Sequence, residues 1–240
     1  MKFAVASEHR DYFHKNHTIE FEGLLSSESL LLFKDSIQDA LASRLGIPKN
    51  RLPFTLTDKQ FKAGHDLWRE TPFLKKNVLH SRFAELAADL TQQRPLRFGC
   101  DQYFPGTPSP SNSFEEVTDY QKFLSIPYNL EEIISIQGLI CGLMICVTPP
   151  TSPSALKNEE ISGSVFTEVP GNGVFFQPTH PIQFSSLFEK RGGSYLLLVY
   201  TQQTSVYLLQ QKDPQGYFLK NLGYGYGDRL IDKLHPILIR

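Results

Sequence analysis

The stretch GVFFQPTHPIQFSSLFEKRGG, from Gly173 to Gly193, decides how the C-terminal part of this chain is interpreted. It opens with GVFFQ (173–177), a short apolar run that begins with glycine and is followed by proline, and such a run predicts a buried β-strand. A single histidine, His180, comes next, and Arg191 follows eleven residues later. Two interpretations are open: a metal ligand with an anion-binding arginine behind it, or a turn residue beside a surface charge.

Further strand-like runs flank this stretch. Each is rich in apolar residues, and Gly, Pro or Asn separates it from the next run at a short interval, which predicts an antiparallel sandwich or barrel. The most apolar of them, 133–147, is too short to span a bilayer and is interpreted as a buried pair of strands. The other runs are 95–104, 164–169, 194–202 and 205–211.

Helical patterns precede the strands. The segment 26–46 begins with Ser26 as an N-cap, ends at Gly46 and places apolar residues at helical spacing. A second segment, 81–93, has the same periodicity, whereas prolines interrupt 48–79, which is predicted to be irregular. Helices first and strands later predict an α+β fold, a β core with helices packed on one side.

The composition is that of an ordinary globular protein. Hydrophobic residues make up 40% of the 240 residues, a length that suits one domain or two small ones. The 24 Lys and Arg residues nearly balance the 25 Asp and Glu residues, so charge gives no reason to expect nucleic acid or a membrane as a partner. Cys100, Cys141 and Cys146 form no CxxC pair and are predicted to be buried, reduced thiols. With no signal-peptide pattern at the N-terminus, we expect a cytoplasmic protein.

Other motifs carry little chemical specificity. The adjacent residues His65 and Asp66 point in different directions in regular structure, so a packing or surface role is expected for them. His14 and His17 lie three residues apart and are interpreted as solvated histidines at a helix end. The segment GYGYGDRL (223–230) does not complete the phosphate-binding pattern G-x-G-x-x-G and is interpreted as a turn.

Three parts of the chain together resemble the phytanoyl-CoA dioxygenase-like branch of the Fe(II)/2-oxoglutarate oxygenases. Residues 12–37 are similar to the opening helix and strand of that family. Residues 83–104, with the Asp-Gln pair at 101–102, are similar to the helix that leads into its first core strand. VPGNGVFFQPTH (169–180) and FEKRGGSYLLLVY (188–200) are similar to its closing strands, where a Gly-x-x-x-Phe-Phe strand leads to the distal metal histidine and an arginine opens the last long strand.

The resemblance implies a double-stranded β-helix, the jelly-roll or cupin-like barrel. It implies a single domain over 1–240, with a helical support region (1–94) and a β-helix core (95–240). It also implies Fe(II) and 2-oxoglutarate as cofactors and, if the chain is active, a non-haem Fe(II)/2-oxoglutarate-dependent dioxygenase. Iron in such sites takes a His-x-Asp/Glu pair and a distal histidine. By resemblance His180 is the distal ligand, and Arg191 pairs with the far carboxylate of the cosubstrate.

The region that should supply the other two ligands departs from the family pattern. Residues 105–132 contain no histidine. VTDY (117–120) places Asp119 at the carboxylate position and a valine where the histidine belongs. His180 also follows the Phe-Phe pair about two residues early, and without missing residues Ile182 falls on the ligand position.

Three functions follow from the incomplete motif. The first is a divergent member of the oxygenase fold with a degenerate active site, a non-catalytic or repurposed protein that binds a small carboxylic acid, a weakly held metal or a partner protein. The second is an active hydroxylase that uses His180, Asp119 and a further ligand. The third is a metal-responsive regulatory protein, for which the near-neutral charge argues against a nucleic-acid target. Substrate and oligomeric state are left open.

Overall fold

The computed structural model describes residues 4–106, 118–150, 164–189 and 192–240 of the chain. Most of its helical residues precede the long strands. The helices are α1 (Ser7–Asn16), α2 (Ser27–Leu45), α3 (Thr57–Ala63), α4 (Pro72–Val78), α5 (Ser81–Thr91), α6 (Asp119–Leu124), α7 (Leu130–Ile133), α8 (Ser186–Glu189) and α9 (Phe218–Asn221). The strands are β1 (Thr18–Phe21), β2 (Leu96–Phe104), β3 (Ile136–Thr148), β4 (Gly173–Phe176), β5 (Ser194–Tyr207) and β6 (Ile237–Ile239).

The two predicted helices are confirmed as α2 and α5. Ser26 Oγ accepts a hydrogen bond from the Ser29 backbone N–H at 3.2 Å, and Gly46, at φ 63°, takes the left-handed conformation that ends α2. The segment 48–79 is more regular than predicted, because it contains α3, α4 and two short 3₁₀ turns. Proline does not break α4: Pro72 lies in its first turn, where a missing N–H leaves no helical hydrogen bond unmade.

The six strands form one antiparallel sheet in the order β1-β4-β3-β5-β2-β6. The predicted strand at 173–177 is confirmed as β4 and the one at 95–104 as β2. The prediction of a strand pair in 133–147 is wrong, because β3 is one continuous strand. Its glycines do not make a turn. A Cβ atom at Gly142 would lie 2.5 Å from the Phe176 ring, and Gly138, at φ 91°, lies at a β-bulge.

Two further strand predictions are wrong. The runs 194–202 and 205–211 are mostly one strand, β5, because the polar residues between them extend the strand instead of turning it. The run 164–169 is irregular.

Different parts of the chain cover the two faces of the sheet. Because side chains alternate along a strand, Leu196, Leu198 and Tyr200 of β5 join the hydrophobic core that contains residues of α2, α4 and α5. The intervening residues Tyr195 and Leu197 join a second core on the other face, built with α6, α7 and residues 165–187. The α+β prediction, with the N-terminal helices on one side, is therefore confirmed.

The molecule is a curled half-barrel, because its second face is not covered by another sheet in the described ranges. A complete double-stranded β-helix would carry an opposing sheet there. In the ranges given above, this face instead carries short helices and an isolated bridge between Tyr128 and Ile182. None of the described helices is long and apolar enough to cross a membrane.

Candidate functional site

His180 lies in the turn that follows β4. Its backbone N–H donates a hydrogen bond to the Gln177 carbonyl at 3.0 Å, and the Gln177 N–H donates to the carbonyl of His17, at the end of α1, at 2.9 Å. The His180 side chain is half-buried. His17 itself ends α1 in the left-handed conformation, at φ 64°, so it does not share a helix face with His14.

Asp119 is the first residue of α6, and its side chain is 75% exposed. Its carboxylate lies 3.7 Å from the Lys62 ammonium and 3.6 Å from that of Lys122, both of them exposed. The proposed cosubstrate arginine, Arg191, and residue Val117 lie outside the described residues. The described residues contain no group of three or more His, Cys, Asp or Glu side chains that could hold a metal ion.

Ile182, which falls on the distal ligand position when residues are counted along the chain, is fully buried. Its backbone N–H donates to the Tyr128 carbonyl at 2.7 Å, which fixes the segment across the second face of the sheet. Its side chain belongs to the apolar core on that face. An isoleucine side chain has no donor atom to offer a metal.

Aromatic rings pack around the next inward residue of this segment, Phe184, which is also fully buried. Its ring centroid lies 5.4 Å from that of Phe104, 5.0 Å from that of Phe123 and 6.0 Å from that of Phe166. Tyr195 extends the group, with its ring 5.1 Å from Phe166 and its hydroxyl bonded to the Thr167 carbonyl. We call these rings the aromatic cluster: Phe104, Phe123, Phe166, Phe184 and Tyr195.

The aromatic cluster leaves little free volume beside it. The cavity that Phe104 and Phe123 help to line has a volume of about 10 Å³, and a second one on this side of the sheet, away from the cluster, has about 20 Å³. Pockets that hold small organic ligands are roughly 300–1,000 Å³ in size. The interior is therefore a packed core in the part of the chain that the structure describes.

A buried acid pair, Asp66 and Asp101, lies where the loop after α3 contacts β2. Asp101 accepts hydrogen bonds from the backbone N–H groups of Leu67 at 2.7 Å and Trp68 at 3.0 Å. Asp66, at φ 50°, pairs through its carboxylate with Arg69 at 2.9 Å. Burial, and after it the negative charge of Asp66, raise the pKa of Asp101 to about 8.

The buried acid pair is part of a structural network. Arg69 also donates to the Leu234 carbonyl at 2.7 Å, and Arg97 of β2 binds Asp232 at 2.7 Å and the carbonyl of His235. These bonds fasten the loop after α3 and the C-terminal segment to β2. His65 and Asp66 are both buried, so of the two expected roles, packing or surface, they have the packing role. Sequence reasoning did not single out His235, which lies in a loop without a recognisable motif and becomes important only through its contacts.

A wide concavity lies elsewhere, beside α2, and we call it the α2 groove. It has a volume of about 840 Å³ and runs between α2, residues 53–57, the ends of β2 and β3, and the start of β5. Phe54 and Leu56 on its rim are 83% and 58% exposed. Its described lining includes one cation, Lys34, several Thr and Gln side chains, and no Asp or Glu. Over its described surface the groove is thus open, mixed in polarity and free of acidic side chains.

Solved structures with a fold similar to this one include non-haem, α-ketoglutarate-dependent enzymes, α-ketoglutarate being another name for 2-oxoglutarate. The carbocyclase SnoK of nogalamycin biosynthesis is similar over 97% of this chain and 96% of its own, with a TM-score of 0.65 and 14% identity. The epimerase SnoN of the same biosynthesis matches over 96% and 97%, with a TM-score of 0.58 and 14% identity.

A third solved structure, CytC3, matches over 96% of this chain and 87% of its own, with a TM-score of 0.57 and 14% identity. CytC3 has also been solved with Fe(II) and α-ketoglutarate. At these identities the likeness establishes the fold, and function has to be argued from the site. No family model matches the chain, and no curated protein matches it significantly.

Proposed function

We propose that this chain is a non-catalytic, repurposed binding protein built on the fold of the Fe(II)/2-oxoglutarate oxygenases. The observation that carries the proposal is the aromatic cluster. Ile182 and Phe184 fill the segment in which the resemblance places the distal iron ligand, and both are fully buried. A close-packed apolar interior supplies neither metal donors nor room for a cosubstrate.

The residues that the structure describes do not fit an iron site of the facial His-carboxylate-His type. Asp119 is engaged with Lys62 and Lys122 at the surface, and His180 lies in a turn tied to the end of α1. Fe(II) in such sites is held by three side chains that converge on one face of the metal. We therefore derive no oxidative step for this chain and propose that the fold serves as a scaffold.

Purified protein is expected to bind far less than one equivalent of Fe(II) and to form no succinate from 2-oxoglutarate. Iron content after anaerobic loading and succinate formation with ascorbate and O₂ measure both properties. His180→Ala should change neither of them, and His80→Ala on the exposed surface is the matched control. Near-stoichiometric iron that is lost in His180→Ala but kept in His80→Ala, together with succinate formation, would establish the active hydroxylase instead.

The α2 groove is the place where we propose that a ligand binds, and a small carboxylic acid is the ligand class that its charge favours. Lys34, half-buried on α2, projects from the helix face that also carries Ile37 and Gln38. The side chains of Lys34 and Gln38 have no hydrogen-bond or ion-pair partner among the described residues. An ammonium group and an amide are suited to hold a carboxylate, and no described acidic side chain in the groove opposes it.

Replacing Lys34 with glutamine is expected to weaken binding of a small dicarboxylate roughly tenfold or more, because a hydrogen bond to a charged group contributes about 1.5–3 kcal/mol. Titration of the ¹⁵N-labelled protein with 2-oxoglutarate and with succinate gives the affinity and locates the shifted residues. Lys59→Gln, on the exposed side of the neighbouring α3, is the matched control and should bind as the wild type does. Equal binding by both variants, or shifts confined to the aromatic cluster, would contradict this assignment.

A further inference from the structure

The small cavity of about 20 Å³ lies where the loop after α3, β2, the start of β3 and the C-terminal segment meet, and we call it the His235 cavity. Its polar lining comprises His65, Asp66, Cys100, Ser135, Asp213 and His235, with Gln215 at one side and three apolar residues completing the wall. A cavity needs roughly 10–15 Å³ of such volume to hold one water molecule. The His235 cavity is therefore the size of a single water and too small for an organic ligand.

The hydrogen bonds of His235 determine which of its nitrogens faces a ligand. The residue is fully buried, and its Nδ1 lies 2.7 Å from the Gly99 carbonyl oxygen. Because a carbonyl only accepts, Nδ1 must carry the proton and donate it. Burial lowers the pKa of His235 to about 4, so the ring is neutral near pH 7 and Nε2 carries a lone pair.

Nε2 of His235 is buried and has no hydrogen-bond partner among the described protein groups. An unsatisfied buried acceptor costs about 1–3 kcal/mol, and such groups in folded proteins are usually bonded to protein or to ordered water. Asp213 lines the same cavity. Its two carboxylate oxygens accept hydrogen bonds from the backbone N–H groups of Ser135 at 2.9 Å and Gln215 at 2.7 Å. Each carboxylate oxygen can accept a further bond.

We propose that the His235 cavity binds one water molecule, which donates one hydrogen to Nε2 of His235 and the other to a carboxylate oxygen of Asp213. The two hydrogens of water match two acceptors, and the thiol of Cys100 in the wall can act as a weak donor to its oxygen. Burial raises the pKa of Cys100, so this thiol stays protonated. The water connects the C-terminal segment to the loop before α9, and its role is independent of the ligand proposed for the α2 groove.

A high-resolution crystal structure of the wild-type protein tests the site, with an anomalous scan across transition-metal absorption edges. We expect one peak that refines as oxygen within about 2.7–3.2 Å of His235 Nε2. His235→Phe replaces the imidazole with a somewhat larger planar ring that has no acceptor, and it should lose this peak. The surface variant His80→Phe should retain it.

A dry cavity in the wild type, or a peak with an anomalous metal signal, would overturn the proposal. The same holds if the peak persists unchanged in His235→Phe. If His235→Phe does not fold, the wild-type structure decides the matter alone, since it shows either the oxygen at Nε2 or one of the contrary results.

Discussion

Replacing Phe184 with alanine is expected to lower the free energy of unfolding by about 3–5 kcal/mol, the range found for large aromatic residues removed from a protein core. Phe184 is fully buried, and three other rings of the aromatic cluster lie within 6.0 Å of its centroid. The interior would lose both buried apolar area and ring contacts, and the surrounding rings can close the space only in part. Urea unfolding, followed by circular dichroism and fluorescence, measures the loss.

Phe54→Ala provides the matched control, because it removes the same side chain from a position that is 83% exposed. The free energy of unfolding of Phe54→Ala should stay within about 0.5 kcal/mol of the wild-type value, as for most surface substitutions. A loss below about 1 kcal/mol in Phe184→Ala would mean that the interior is loosely packed. In that case the aromatic cluster could not carry the proposed function.

Replacing Asp101 with alanine is expected to cost about 2–5 kcal/mol near pH 5, because it leaves the buried N–H groups of Leu67 and Trp68 without acceptors. The loop after α3 would lose two of its hydrogen bonds to β2. Asp89→Ala is the control, since Asp89 makes a half-exposed ion pair with Arg94. Such a pair contributes about 0–1 kcal/mol.

The cost of Asp101→Ala should also depend on pH in a definite direction. The folded state holds the Asp101 proton with a pKa of about 8, against an ordinary value of 3.8. The proton on Asp101 therefore raises the free energy of unfolding, and this contribution is fully present below about pH 4. It falls as the pH rises and is lost once the pH passes about 8. The variant lacks it, so the difference in unfolding free energy between wild type and Asp101→Ala should shrink between pH 5 and pH 8.5. A difference that grows over this range would show that Asp101 is held as a carboxylate instead.

Local sequence signals predicted the elements whose ends are set by their own residues. Ser26 and Gly46 fix the ends of α2 through backbone hydrogen bonding and a left-handed φ, and these depend on few neighbours. The lengths of the strands were less predictable. Whether β3 turns or continues at its glycines depends on partners far along the chain. Gly138 lies at a bulge opposite β5, and Gly142 lies against the ring of Phe176.

The candidate site was likewise predictable only in part from the sequence. The missing histidine in 105–132 is visible in the sequence and indicates an incomplete ligand set. Nothing in the sequence indicates that Phe104, Phe166 and Phe184, which are spread over some eighty positions, pack against one another. The α2 groove likewise combines a helix, a loop and three strand ends that are distant in sequence.

The sequence by itself determined the α+β class, the caps of the long helix, the apolar strands and the resemblance to an oxygenase with an incomplete ligand motif. These features rest on local backbone chemistry and on residue types, which are read along the chain. Only the tertiary structure decided that the half-barrel interior is packed with aromatic rings, that Asp101 and His235 are buried, and that the open concavity lies beside α2. Burial and pairing are properties of residues brought together from distant segments, so they are set by packing and not by any single stretch of sequence.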